Sequence, residues 1–400
     1  MRPIHFYMLG TGSWFLAFGV QGVLFAWLVA MQLRESAEWV GVAQMVLLLP
    51  GTVFILVGGS YADRFGGRRL AMVAQALAAC GPLLLAVQLL ADQLTYTTML
   101  VYAVLMGCAT AFVTPARDGL LNEVSGGRVQ RAVVLASMVQ FAGQFLGFSL
   151  AATTDWVGPL PVLLVQSVLL AMGVLAFRAI APSAPRAGAA RAPRLLVSLR
   201  EGGKTVFSSP SMRVIVIQNL AMALFFMGSF VVTIPLLVRD VFAGSSQDLA
   251  VMNGVNSLGL LASIMMLLRF GDVQRPGRAL IGAHVIGSLA LGAVGMMSVF
   301  AEAVGTILVW GLCGGVAMTM SRTIMQEQAP ADQRSRVMSF YGFSFMGAGP
   351  LGALFCGFLV REFGPQQALL IAAGLMLLVT LGLAALSRLW QLQSHQLVVE

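Results

Sequence analysis

Asp63, Arg64, Arg68 and Arg69 fall within seven residues of the segment GSYADRFGGRRL (59–70), between two long apolar runs. Only 10% of the 400 residues are charged, so such a density between apolar runs points to chemistry rather than filler. A carboxylate at the end of an apolar helix is costly unless a cation or a helix N-terminus neutralises it. Arg64, Arg117, Arg334 and Arg336 are the cations that sequence reasoning offers to Asp63. A second set of ionisable residues lies near the ends of other apolar runs: Arg117, Asp118 and Glu123, then Arg322 and Glu327, with His284 about one turn inside a further run. These groups are candidates for moving a charge or a proton. Arg117 and Arg322 also have a plainer reading, in which the long side chain snorkels to the nearby interface. Asp118 is too short for that.

Twelve apolar runs must position these groups: about 4–31, 38–61, 70–91, 97–121, 131–154, 160–180, 212–238, 248–270, 279–300, 303–325, 335–360 and 366–388. Each approaches or exceeds the roughly 20 residues that a helix needs to cross a bilayer. Hydrophobic residues make up 58% of the chain, more than a soluble surface could keep from aggregating. Short alternating barrel strands do not fit runs of this length. The expected fold is therefore all-α and polytopic, with the lipid bilayer as its solvent.

Charge orients it. With the N-terminus on the cytoplasmic side, only Arg34, Arg239 and Arg361 of the 24 basic residues fall on the far side. The acids divide evenly, as expected when basic residues alone set topology. Both termini are then cytoplasmic, and the basic excess needs no nucleic-acid partner. Arg2 precedes a run too long for a cleavable signal, which reads as the first span.

The chain divides near its middle. Residues 181–194, APSAPRAGAARAPR, show no apolar periodicity and read as an exposed linker. Leu195, Leu196, Leu199, Val206 and Phe207 then share one helical face, as in an interfacial amphipathic helix. The expected organisation is 1–181 as a first six-helix bundle, 182–210 as linker and interfacial helix, and 211–400 as a second bundle. The halves echo each other: YADRFGGRRL with RFGDVQRPGRAL, TPARDGLLNEV with SRTIMQEQAP, and the openings of spans 5 and 11. Repeated six-span units place a site between the halves near the midplane.

The middle of the membrane is uncharged. Trp14, Phe18, Gln21 and Phe25 share a face of span 1; Gln140 and Gln144 recur with Gly143 and Gly147 along span 5. Asn219, Met222 and Phe226 (span 7), Asn253 and Asn256 (span 8), and Tyr341 and Phe345 (span 11) extend the set. Amides and aromatics suit a small neutral or amphiphilic molecule. Taken singly, each residue could equally be helix–helix glue.

The turn Gly59-x-x-x-Asp63-Arg64-x-Gly66-Gly67-Arg68-Arg69 resembles the signature between helices 2 and 3 of the major facilitator superfamily, over nearly the whole chain. Pro115-Ala-Arg117 and Gln326-Glu327-Gln-Ala-Pro330, followed by Arg334-Ser-Arg336-Val-Met-Ser339, most resemble the branch of the enterobactin exporter and macrolide efflux carriers. The resemblance implies a twelve-helix, two-bundle carrier of the cytoplasmic (inner) membrane, usually a monomeric exporter driven by proton entry. It implies a cytoplasmic gate at Gly59, Asp63, Arg64, Gly66, Arg68, Arg69, Arg117, Arg334 and Arg336. Two departures count against proton antiport. Span 1 has no acid, and Phe148 stands where antiporters of this kind carry proline after glycine in helix 5.

No cofactor or metal is expected. Cys80, Cys108, Cys313 and Cys356 are scattered singly, and neither a phosphate-binding Gly-Lys loop nor an HExxH spacing occurs. An enzyme is not expected. The functional expectation is export of a small amphiphilic organic molecule, a siderophore or a drug. The alternatives are lysophospholipid flipping and a non-transporting membrane sensor.

Overall fold

A computed structural model describes residues 3–126, 129–181, 195–270, 273–330, 333–387 and 389–392; for 55–56, 59–60, 63, 129–130, 195–199, 270 and 335 it describes the backbone alone. The linker expected over 181–194 lies outside the described residues, apart from Ala181. The described residues are helical almost throughout. In order they form α1 (Pro3–Trp27), α2 (Ala37–Phe65), α3 (Gly67–Leu90), α4 (Tyr96–Val124), α5 (Val129–Ala152), the short α6 (Thr154–Val157) and α7 (Pro159–Arg178). After the linker come α8 (Leu195–Ser208), α9 (Pro210–Ala221), α10 (Ile234–Asp240), α11 (Ser246–Phe270), α12 (Pro276–Met296), α13 (Phe300–Gln328) and α14 (Arg334–Leu386). Wider-pitch π turns at Leu28–Gln32, Met222–Met227 and Ser229–Thr233 extend α1 and join α9 to α10.

Eleven of these helices are long and apolar enough to cross a membrane. The last, Arg336–Leu386, is two of the expected spans fused across a kink at Gly364, whose φ of 78° only glycine adopts cheaply, followed by Pro365. Local sequence sets the other ends as well. Pro159, Pro210 and Pro276 open α7, α9 and α12, where a missing N–H costs nothing. Thr95 caps α4 by accepting from the Thr98 N–H.

The chain forms two compact units. One comprises Met1–Ala192 with Gly244–Asn253, the other Pro193–Ala243 with Gly254–Glu400. The cuts differ from the expected 181 and 211. Helix α8 groups with the second unit instead of standing apart, and the first residues of α11 group with the first.

Within each unit the first and fifth spans approach each other on glycine. A Cβ at Gly147 of α5 would lie 2.2 Å from the Leu16 carbonyl oxygen of α1, and one at Gly19 would lie 2.3 Å from that of Gln144. In the second unit a Cβ at Gly228 would lie 2.4 Å from the Gly352 carbonyl, and one at Gly352 would lie 2.6 Å from that of Ala223. Small residues let backbones approach where lipid supplies no hydrophobic drive. The same pair of spans, first and fifth, does this in both halves. Amides add glue inside the first unit: the buried Gln75 donates to Ser13 Oγ (3.0 Å), and the buried Gln166 donates to the Ala17 carbonyl (2.9 Å).

Candidate functional site

The charged turn is shaped by Gly66, whose φ is 84°, and by Gly67, where a Cβ would fall 2.5 Å from the Ala116 carbonyl of α4. The start of α3 is thus pressed onto α4. Arg68 turns to the end of α7: its Nε donates to the Phe177 carbonyl (3.1 Å) and its Nη2 to that of Arg178 (2.7 Å). These carbonyls belong to the last turn of a helix, where acceptors are orphaned and a cation is favoured. Arg64 and Arg69 are exposed, the Arg64 guanidinium lying 5.3 Å from the Phe65 ring centre. Of Gly59 and Asp63 only the backbone is described.

The turn's copy in the second unit does the same work. Gly277, like Gly67, leaves no room: a Cβ would clash with the Leu389 carbonyl. Next to it, Arg278 Nε donates to the Trp390 carbonyl (3.2 Å) and its guanidinium lies 5.2 Å from the Trp390 ring centre. A Gly-Arg pair therefore ties the third span of each half to the end of its sixth. Arg68 was expected to serve the cytoplasmic gate; its described contacts are those of a cation at a helix C-terminus.

Arg336 likewise meets a partner other than Asp63. Its Nη1 lies 2.6 Å from Glu201 Oε2 of α8, and Arg334 is exposed at the first position of α14. Arg117 is turned inward, only 6% exposed, with its guanidinium 4.4 Å from the Phe15 ring centre of α1. Its Nε and Nη1 have no hydrogen-bond partner among the described residues. Asp118 and Glu123 lie exposed on the last turns of α4; on α13 Arg322 is exposed and Glu327 half-buried. His284 is buried within α12, its Nδ1 3.0 Å from the Leu280 carbonyl and its ring 6.2 Å from that of Phe226.

The expected uncharged cavity residues divide between the units. In the first, Trp14, Gln21 and Phe25 are buried, Phe25 stacking on Tyr102 at 5.7 Å, while Phe18, Gln140 and Gln144 are half-buried. Asn253, which groups with this unit, is buried and donates to the Leu249 carbonyl (3.0 Å). A groove of about 770 Å³ runs along α1, α5 and α7, lined by His5, Leu9, Gly12, Val139, Gly143 and Met172 among others, nearly all apolar.

In the second unit the set converges. Asn219 Nδ2 donates to Ser344 Oγ (2.9 Å) and to the Tyr341 carbonyl (3.2 Å), and the Tyr341 hydroxyl lies 2.6 Å from Ser321 Oγ. Phe226 packs edge-on against Trp310 at 5.7 Å beside the buried Met222. Asn256 and Phe345 are half-buried. Trp310 and Ser321 were not anticipated; both lie in an apolar run where only their spacing on the face of α13 could have flagged them.

The Major Facilitator Superfamily model matches residues 7–353, so the chain belongs to that superfamily of membrane transporters. Among curated relatives, the Multidrug efflux pump Tap of Mycobacterium tuberculosis is 27% identical over 389 residues, covering 92% of this chain and 89% of the relative. The Mycolicibacterium fortuitum pump of the same name is 25% identical over 389 residues, covering 94% and 93%. Among solved structures, the nucleoside transporter NupG matches with a TM-score of 0.75 at 13% identity, over 96% of this chain and 99% of that one. An auto-inhibited POT family peptide transporter matches with a TM-score of 0.75 at 14% identity, over 100% and 99%. At such identities these two speak for the fold alone. The protein is a multi-pass membrane transporter of small molecules, not an enzyme.

Proposed function

We propose that the protein exports small amphiphilic, drug-like organic molecules across the cytoplasmic membrane by alternating access, with both termini cytoplasmic. The observation that carries this reading is the uncharged cluster of Asn219, Tyr341, Ser344 and Ser321 beside Phe226 and Trp310. It offers rotatable donors and acceptors next to flat apolar faces, which suits chemically varied ligands with polar and aromatic parts. Likeness to pumps named for multidrug efflux along more than nine-tenths of the chain supports export of drugs ahead of siderophores. Gln21, Gln140, Gln144, Asn253 and Asn256 extend the substrate surface in this proposal. Asp63, with Gly59, Gly66, Arg64, Arg69, Arg117 and Arg334, serves the cytoplasmic gate.

Proton entry drives export in this proposal, with Asp118, Glu123 and Glu327 as the acids near the cytoplasmic ends of their spans and Arg322 beside them. His284 has a buried ring beside that of Phe226, so it contributes packing before proton transfer. The purified transporter works as a monomer. Lysophospholipid flipping is the second reading, favoured by the apolar groove along α1, α5 and α7.

Transport of a drug panel in proteoliposomes under an imposed pH gradient separates these. Export of drugs faster with the gradient than without supports the proposal; a rate indifferent to the gradient removes proton coupling, and gradient-free lysolipid movement favours flipping. Asp63→Asn should leave the protein folded and slow drug export severely. Near-normal turnover in that variant would refute the gate role.

A further inference from the structure

Helix α8 has two flanks with different partners. One is fastened to the start of α14. Glu201 pairs with Arg336 at 2.6 Å, and the Thr205 hydroxyl donates to Gln333 Oε1. Gly202 brings the backbones together, since a Cβ there would lie 2.4 Å from the Arg336 carbonyl. Val206 is fully buried. Where α8 turns outward, the Phe207 ring meets Phe340 edge-on at 5.9 Å.

The other flank is exposed among the described residues, apart from the Phe207–Phe340 contact. Arg200 and Lys204 are exposed, and Phe207 is 52% exposed. At positions i, i+4 and i+7 these three lie one above another on the helix surface. Lys204 is the only lysine in the chain, and Glu201, the only acid of α8, is taken up by Arg336. The stripe is therefore cationic without compensation from its own helix. In the sequence it is flanked by Arg186, Arg191, Arg194 and Arg213, giving six basic residues against one acid between positions 186 and 213. The helix sits where α9 and α14 begin, at the ends of two apolar spans and hence at headgroup depth.

We propose that the Arg200–Lys204–Phe207 stripe of α8 is a binding surface for anionic phospholipid headgroups. Three features select that partner over an acidic protein. The stripe lies at the end of membrane spans; basic clusters beside a span attract the negative leaflet surface; and a half-exposed aromatic beside cations matches the boundary between headgroup and acyl chain. The exposed flank and the fastened one divide the labour. Docking to α14 holds the helix at one depth, so lipid binding bears directly on the opening turn of the span that carries Tyr341 and Ser344.

The test is titration of the purified full-length protein with phosphatidylglycerol and with phosphatidylcholine, counting retained lipids by native mass spectrometry. The wild type should retain phosphatidylglycerol preferentially. Each basic residue near an anionic surface contributes about fivefold, so R200Q/K204Q should weaken phosphatidylglycerol binding about thirtyfold while leaving phosphatidylcholine unchanged. R200K should bind like the wild type, and raising salt should shrink the difference between wild type and double variant. Both side chains are exposed, so the melting temperature should not move. Equal retention of the two lipids by the wild type, or phosphatidylglycerol binding by the double variant equal to that of the wild type, overturns the proposal. The readout is lipid retention, so it stands or falls separately from drug export.

Discussion

Replacing Arg68 by glutamine separates a helix cap from a gate. The side chain donates to the carbonyls of Phe177 and Arg178 at 3.1 and 2.7 Å, and it is half-buried. Hydrogen bonds from a charged donor contribute about 1.5–3 kcal/mol when buried. The bond to Arg178 is exposed to solvent and belongs at or below the lower end of that range, so the two together contribute about 2 kcal/mol. The favourable placement of a cation at a helix C-terminus is part of the same sum. For a unit of about 200 residues, 1 kcal/mol moves the melting temperature by about 2–4 °C, so Arg68→Gln should lower it by about 4–8 °C. Thermal unfolding of the purified protein in detergent, followed by tryptophan fluorescence, reads this directly. Arg69→Gln, at an exposed neighbouring position, should leave the temperature within about 1 °C. The twin in the second unit, Arg278→Gln, should show a smaller drop, since it loses one bond at 3.2 Å and one stacking contact. A variant at Arg68 that melts like the wild type yet transports slowly would refute the cap and return the residue to the gate.

Two other perturbations follow from close contacts. Gly147→Ala places a methyl 2.2 Å from the Leu16 carbonyl, so it should force α1 and α5 apart at a cost of about 1–3 kcal/mol, whereas Gly282→Ala, with nothing within 4 Å, should stabilise α12 by about 0.5–1 kcal/mol; opposite shifts in melting temperature check the pair. Asp155 accepts from the Ser246 and Gln247 N–H groups (3.2 and 2.9 Å) and from Ser246 Oγ (2.9 Å), so Asp155→Ala should cost about 1–2 kcal/mol of local stability and speed hydrogen exchange at the first turn of α11 roughly 5- to 30-fold. Unchanged exchange there would show that water replaces the carboxylate without loss.

Several contacts at the candidate site escape the sequence for identifiable reasons. Arg68 reads as a gate because it neighbours Asp63, yet its partners are backbone carbonyls more than 100 residues away, and no residue type announces a carbonyl. Gln75 and Gln166 sit in apolar runs just as Gln21 and Gln140 do. Which amides glue helices and which face a ligand depends on the side of the helix that meets a neighbour, and long apolar helices carry too little polarity to mark that side. The pairing of Arg336 with Glu201 of α8 has no mark in the sequence either, since the two stand 135 positions apart.

The apolar run lengths and the repeated half were enough to predict a twelve-span helical membrane protein in two halves, and the turn at 59–70 carried the resemblance to its superfamily. Bilayer thickness and charge asymmetry act on local composition, so composition reveals them. That Arg68 reaches the end of α7, that Gly147 packs against α1 and that Arg336 pairs with Glu201 were decided only by tertiary structure. Each depends on which carbonyl or carboxylate arrives at contact distance, and that is set by the packing of helices far apart in the chain.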